Sequence, residues 1–288
     1  MIFSILASFI LAAALCQAPD AVADLIRQLG ADDAAVREEA ERRLGEIGEP
    51  AEAALKEAVA SADPETRERA GHVLDRIVRM REEREFGERF RALATTFGDR
   101  RCGSLSMKTR IERKGDVDLL VFEDHVGAWC QTECVFTLDP PRIESFSCTM
   151  HDSGETTELF GERMGDQIEI GISNRGVPGS HLEAHDLQPR LFAAYEYYRL
   201  ACVVRRSEGE VFQFTQVALA AWGELMRPSQ LRCVGRERVG DGAPWRVEYW
   251  QQPPGEDSVR RMSTLWVTDD GELIQVQPED GKVLPVVK

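Results

Sequence analysis

The chain has 288 residues, 50 acidic and 35 basic, for a formal net charge of −15. Residues 19–100 carry 14 basic and 20 acidic groups and residues 101–288 carry 21 and 30, so neither part offers the basic stripe that a nucleic-acid backbone requires. With 43% apolar and 30% charged residues, the composition is globular and excludes wholesale disorder, collagen-like repeats and a polytopic membrane protein.

At the amino terminus, residues 2–15 (IFSILASFILAAAL) form one uninterrupted apolar-to-small run. It is shorter than the roughly 20 residues that span a bilayer as a helix. With small residues at Ala14, Cys16 and Ala18 it reads as a signal peptide over residues 1–18. The expectation is export, to the periplasm or beyond, with membrane attachment only through an uncleaved N-terminus or one lipidated at Cys16. Beyond the signal there are six cysteines, Cys102, Cys130, Cys134, Cys148, Cys202 and Cys233, an even number that an oxidising compartment allows to pair. Arginine outnumbers lysine 30 to 5, a bias of GC-rich bacterial genomes.

Residues 22–47 and 52–77 align without a gap at an offset of 30 and are identical at 8 of 26 positions, including Leu25/Leu55, Asp33/Asp63, Arg37/Arg67, Ala40/Ala70 and Leu44/Leu74. Each copy reads as a helical hairpin. Asp33 and Asp63 stand where an N-cap side chain satisfies the first amides of the second helix, and Pro64 takes the first helical position, where its missing N–H costs nothing. The turn aspartates, Arg37 and Arg67 four positions later, and the Ala40–Leu44 and Ala70–Leu74 spacing resemble the HEAT family of helical repeats. That resemblance implies a scaffold with a protein-binding surface. Helical rhythm continues through Phe86, Phe90, Leu93 and Phe97, which predicts a long linking helix within 65–98 and a helical domain over 19–98.

From Gly98 onward turn signals recur at short intervals and the apolar period drops to two, as in Ile168-Glu169-Ile170-Gly171-Ile172. Residues 99–288 are therefore expected to form a mainly antiparallel β-sheet domain. One helix starts at Pro189 and a second lies near 217–226. The run Trp266-Val267-Thr268-Asp269-Asp270-Gly271, after Trp245–Trp250, is similar to exported half-barrel proteins of the lipoprotein-carrier type, which implies a curved sheet that shelters an apolar ligand. The expected fold class is α+β: HEAT-like helical repeats, then a curved sheet or half-barrel with one or two helices.

Searches for catalytic chemistry return nothing assembled. No Gly-x-Ser-x-Gly elbow, phosphate loop or dinucleotide glycine triplet occurs. His181, Glu183 and His185 follow Pro178-Gly179-Ser180 and precede Pro189, which reads as a solvated loop. His125, Cys130 and Cys134 are zinc-compatible types, but on a strand the two thiols stand roughly 13 Å apart. Acidic pairs such as Glu123-Asp124 and Asp269-Asp270 are read as turn chemistry, and Trp245, Tyr249, Trp250 and Trp266 as strand packing. No catalytic residue, metal or cofactor is expected. The expected function is a non-enzymatic scaffold with a protein partner at the helical repeats and no nucleic-acid partner; the alternative is a carrier or sensor of a lipid or other apolar ligand.

One pairing follows from strand geometry. Residues 128–138 and 144–150 read as a hairpin with inward Cys130, Cys134 and Phe136 facing Phe146, Cys148 and Met150. A five-residue connection across Asp139–Ile143 sets Phe136 opposite Phe146 and Cys134 opposite Cys148, within disulfide reach.

Overall fold

The computed structural model describes residues 18–61, 63–152, 154–174, 181–188, 190–193, 196–217, 226–252, 258–279 and 281–288. The expected signal peptide up to residue 17, with Cys16, and most of the helix expected near 217–226 lie outside the described residues. The chain divides into two compact units, one ending at Glu85 and the other running from Phe86 to Lys288.

In the first unit α1 (Ala18–Gln28) and α2 (Ala34–Ile47) form a hairpin, a 3₁₀ turn (Glu49–Ala51) leads into α3 (Glu52–Ala58), and α4 begins at Pro64 and runs to Thr96. Leu25, Leu29, Leu44, Leu55, Val73 and Ile77 are buried together in its core. The HEAT-like series expected here is not what forms. The repeat pattern ends at Ile77, whereas the long linking helix expected within 65–98 forms as α4, one helix of 33 residues that closes no second stacked repeat, and the largest element of the chain is a 15-stranded sheet. The reason lies at the stop. In the first copy Gly48 adopts φ +70 and Pro50 follows, ending α2; the counterparts thirty residues on are Val78 and Met80, which let the helix continue. The α+β character holds.

In the second unit the strands are β1 (Arg100–Cys102), β2 (Leu105–Lys114), β3 (Val117–Val126), β4 (Cys130–Leu138), β5 (Pro141–Asp152), β6 (Glu155–Met164), β7 (Gln167–Asn174), β8 (His181–Asp186) and β9 (Leu191–Phe192). After α5 (Tyr197–Val203) come β10 (Val211–Val217), β11 (Met226–Arg236), β12 (Trp245–Gln251), β13 (Arg260–Val267), β14 (Leu273–Pro278) and β15 (Leu284–Val287). The order is β8 down to β1, then β15 down to β9, so the first and last strands pair at mid-sheet. Neighbours are antiparallel except β9 and β10, which makes the sheet mixed.

Period-two burial explains the faces: on β4, Cys130, Thr132, Cys134, Phe136 and Leu138 are buried and their neighbours are not. Phe90, on the last turns of α4, contacts Phe122 of β3, Phe136 of β4 and Phe192 of β9 at ring separations of 5.6, 5.3 and 6.1 Å. β9 lies at the far end of the strand order from β3 and β4. Only a sheet folded round the helix brings these rings together.

Two further expectations change. The helix from Pro189 is replaced by β9, whose Leu191 and Phe192 pair with Thr215 and Gln216, and α5 starts only at Tyr197; tertiary pairing outweighs the helical stripe. The hairpin between β4 and β5 turns on Asp139 and Pro140 alone, with Leu138 opposite Pro141, and a bulge at Val135/Phe136 shifts the ladder. The even parity survives but the register moves by two residues, so Cys134 faces Phe146 and Cys148 faces Thr132.

Candidate functional site

The densest polar cluster lies inside the sheet unit and is built around α5. Arg199, fully buried, donates from Nη1 and Nη2 to the Asp124 carboxylate at 3.0 and 2.6 Å, from Nε to Thr109 Oγ1 at 2.8 Å and from Nη2 to the Lys108 carbonyl at 2.8 Å. Asp124 and Thr109 are inward positions of β3 and β2, in line with Phe122 and Met107. The guanidinium also lies 4.4 Å from the Phe122 ring centroid and 5.3 Å from that of Phe97. Burial pushes the Asp124 carboxyl up, and Arg199 opposes it.

Glu196, at the N-cap position of α5, is fully buried, and neither carboxylate oxygen has a partner at hydrogen-bond geometry among the described residues. Burial pushes it up to about 8; the facing Cys134 thiol and Arg199 pull it down, and Asp124 adds to the rise. The Cys134 thiol is itself pushed well up, by burial first and by Glu196 second. Both shifts favour the uncharged forms, a protonated carboxyl beside a protonated thiol. A second cluster centres on Gln216, which accepts from Gln251 Nε2 at 2.8 Å and from the hydroxyl of Tyr249. Burial holds the Tyr249 phenol well above the usual range.

The residues singled out by sequence are dispersed. Asp33 accepts from the Ala35 N–H at 2.9 Å, and Asp63 from the Thr66 N–H at 2.9 Å, which with the Thr66 hydroxyl holds its carboxyl low. Arg37 donates back to the Ala31 and Asp32 carbonyls at 2.7 and 2.9 Å, and Arg67 to the Ser61 carbonyl at 3.1 Å. These four residues organise turns. No disulfide joins the cysteines beyond residue 17; Cys148 lies with its sulfur 3.8 Å from that of Cys130 on the diagonal of β4 and β5.

His125 faces away from Cys130 and Cys134 and meets Glu123 Oε1 at 2.8 Å; Glu123, hydrogen-bonded first to His125 and then to Lys108, falls to about 2. His181 to Asp186 form β8 rather than a loop, with His185 Nε2 at 3.5 Å from Glu183. Among the described residues no group of three or more His, Cys, Asp or Glu side chains is placed to hold a metal ion. Trp245 donates to Asp269 at 2.8 Å at the expected turn, Tyr249 and Trp266 are buried, and Arg232 covers Trp250.

Glu123-Asp124 lies within β3, not at a turn. Asp124 is read from sequence as a turn residue, and nothing local singles out Arg199 or Glu196; the available signal is parity, since Asp124 shares the inward set of Phe122 and Val126 and a charge there demands a buried partner. The chain has no significant match among protein-family models, curated proteins or solved structures.

Proposed function

We propose that the protein is an exported, non-enzymatic scaffold whose helical unit offers a protein-binding surface, while its sheet unit serves as a filled structural support. The observation that carries this reading is the packing inside the sheet. Phe90, Phe122, Phe136, Phe192 and Phe214 occupy the concave side with their rings in mutual contact, where a carrier of apolar ligands needs an open cavity of about 300–1,000 Å³.

On the helical unit, grooves of about 340 and 500 Å³ share Ile47. Ile77 and the 56%-exposed Met80 line the first, beside charged Glu46 and Arg81. An apolar floor with a charged rim suits a protein partner. Export belongs to the same reading, and Cys130 with Cys148 is the pair an oxidising compartment would join.

Native mass spectrometry of the purified mature protein, with lipid extraction in parallel, tests the choice. The scaffold reading expects the bare polypeptide mass. A stoichiometric co-purifying lipid would replace it with the alternative, carriage or sensing of a lipid in the sheet.

A further inference from the structure

At the far edge of the sheet β9 covers only part of β10, pairing at Thr215 and Gln216. The Thr215 N–H donates to the Arg190 carbonyl at 2.9 Å. Backbone groups of alternate residues point to the same side of a strand, so the N–H and C=O of Gln213 face this edge too, and no described strand takes them. Such an edge is a template for another chain.

Arg190 stands beside it. Its guanidinium lies 4.6 Å from the Phe212 ring centroid, and it meets no carboxylate among the described residues, whereas Arg110, Arg163, Arg199 and Arg236 each do. The side-chain amides of Gln188 and Gln213 likewise have no hydrogen-bond partner among the described residues. These groups, with Thr215 and Gln230, border a recess of about 520 Å³. Phe214, Pro228 and Val259 line the same recess, so the Arg190 guanidinium stands where apolar and polar side chains meet.

We infer that this edge binds an extended acidic peptide segment as an added strand. The peptide backbone takes the open N–H and C=O of Gln213, a carboxylate of the peptide pairs with Arg190, and Gln188 and Gln213 supply further hydrogen bonds. A small carboxylate or an acidic sugar could meet Arg190, but only a chain with its own amides uses the strand edge. The inference rests on the scaffold reading in one respect, that the occupant is a polypeptide.

The test is fluorescence polarisation on the full mature chain with a labelled heptapeptide of alternating valine and glutamate. Three competitors accompany it: the same peptide with its edge-facing amides N-methylated, its glutamine counterpart, and free glutarate. Saturable binding of the acidic peptide below about 1 mM is expected, weakened by about tenfold or more on N-methylation or on replacing glutamate by glutamine, as loss of a charge-assisted hydrogen bond requires. Arg190→Gln should weaken the glutamate peptide and leave the glutamine peptide unchanged. Gln213→Pro, which removes the edge N–H where proline is tolerated, should weaken both with the far-ultraviolet circular dichroism unaltered.

Absence of saturable binding, equal binding of the N-methylated peptide, or indifference to Arg190→Gln would each overturn the proposal. Glutarate competing as well as the peptide would make this a small-anion site and overturn it also. Lipid co-purification bears on the scaffold reading and leaves these isotherms as they are, so the two failures are distinguishable.

Discussion

Glu196 is fully buried with neither carboxylate oxygen hydrogen-bonded among the described residues, and burial outweighs the pull of Cys134 and Arg199 to set its pKa near 8, which gives a pH dependence with a definite sign. Its value in the folded chain is raised above the ordinary 4.5, so the folded state holds a proton that the unfolded state has released. The stability this proton provides is complete below about pH 4.5 and is lost as pH rises through about 8. Glu196→Gln, neutral at every pH, should therefore match the wild type near pH 4.5 and exceed it at pH 8 in urea-unfolding midpoints; parallel curves would refute the assignment. Cys130 and Cys148 make the other residue-scale prediction. With a small-molecule disulfide as oxidant, both thiols lose their protons and pass two electrons to it, forming one cystine and releasing two donor thiols. Non-reducing peptide maps should then link Cys130 to Cys148, and a Cys134–Cys148 peptide in their place would restore the register first expected from the sequence.

Whether a helix stops or continues is decided by a few backbone positions. Gly48 ends α2 at φ +70, ψ −137 with nothing within 4 Å of an added Cβ, so the cost of Gly48→Ala is backbone strain alone, about 1–3 kcal/mol. Gly71 lies inside α4, also with open space around it, and Gly71→Ala should stabilise by roughly 0.5–1 kcal/mol. Thermal unfolding of the two variants should move in opposite directions, and a shared direction would count against these backbone assignments. The strands follow the same logic. The even parity of β4 and β5 was legible from Cys130, Cys134, Phe136, Phe146 and Cys148, because a slip by one residue would bury the polar set. The two-residue shift was not legible, because it depends on turn length and on the bulge at Val135/Phe136, and neither leaves a mark in the apolar alternation.

Across the sheet unit as a whole, Arg199 joins α5, which contacts β13 and β14, to Asp124 on β3 and Thr109 on β2. One buried side chain thus ties together distant parts of the strand order. Arg199→Met strands a buried carboxylate and should cost about 3–5 kcal/mol, whereas adding Asp124→Leu should recover most of the loss, because the desolvation penalty disappears with the second charge. Urea unfolding of the full chain measures both. A single-variant loss below about 1 kcal/mol, the worth of an exposed ion pair, would show that the pair is not buried in solution.

The sequence by itself determined where helices give way to strands, the long helix after the second helical hairpin, the caps at Asp33 and Asp63, and the inward sets of β4 and β5. All are local: they depend on helical rhythm, on one turn of chain or on the alternation of a single strand. Only the tertiary structure decided that Leu191 and Phe192 join the sheet instead of a helix, and that Arg199 meets Asp124 at 75 positions' separation. These outcomes turn on burial against partners remote in the chain, where the free energy of desolvating a charge or filling a concave sheet outweighs local propensity.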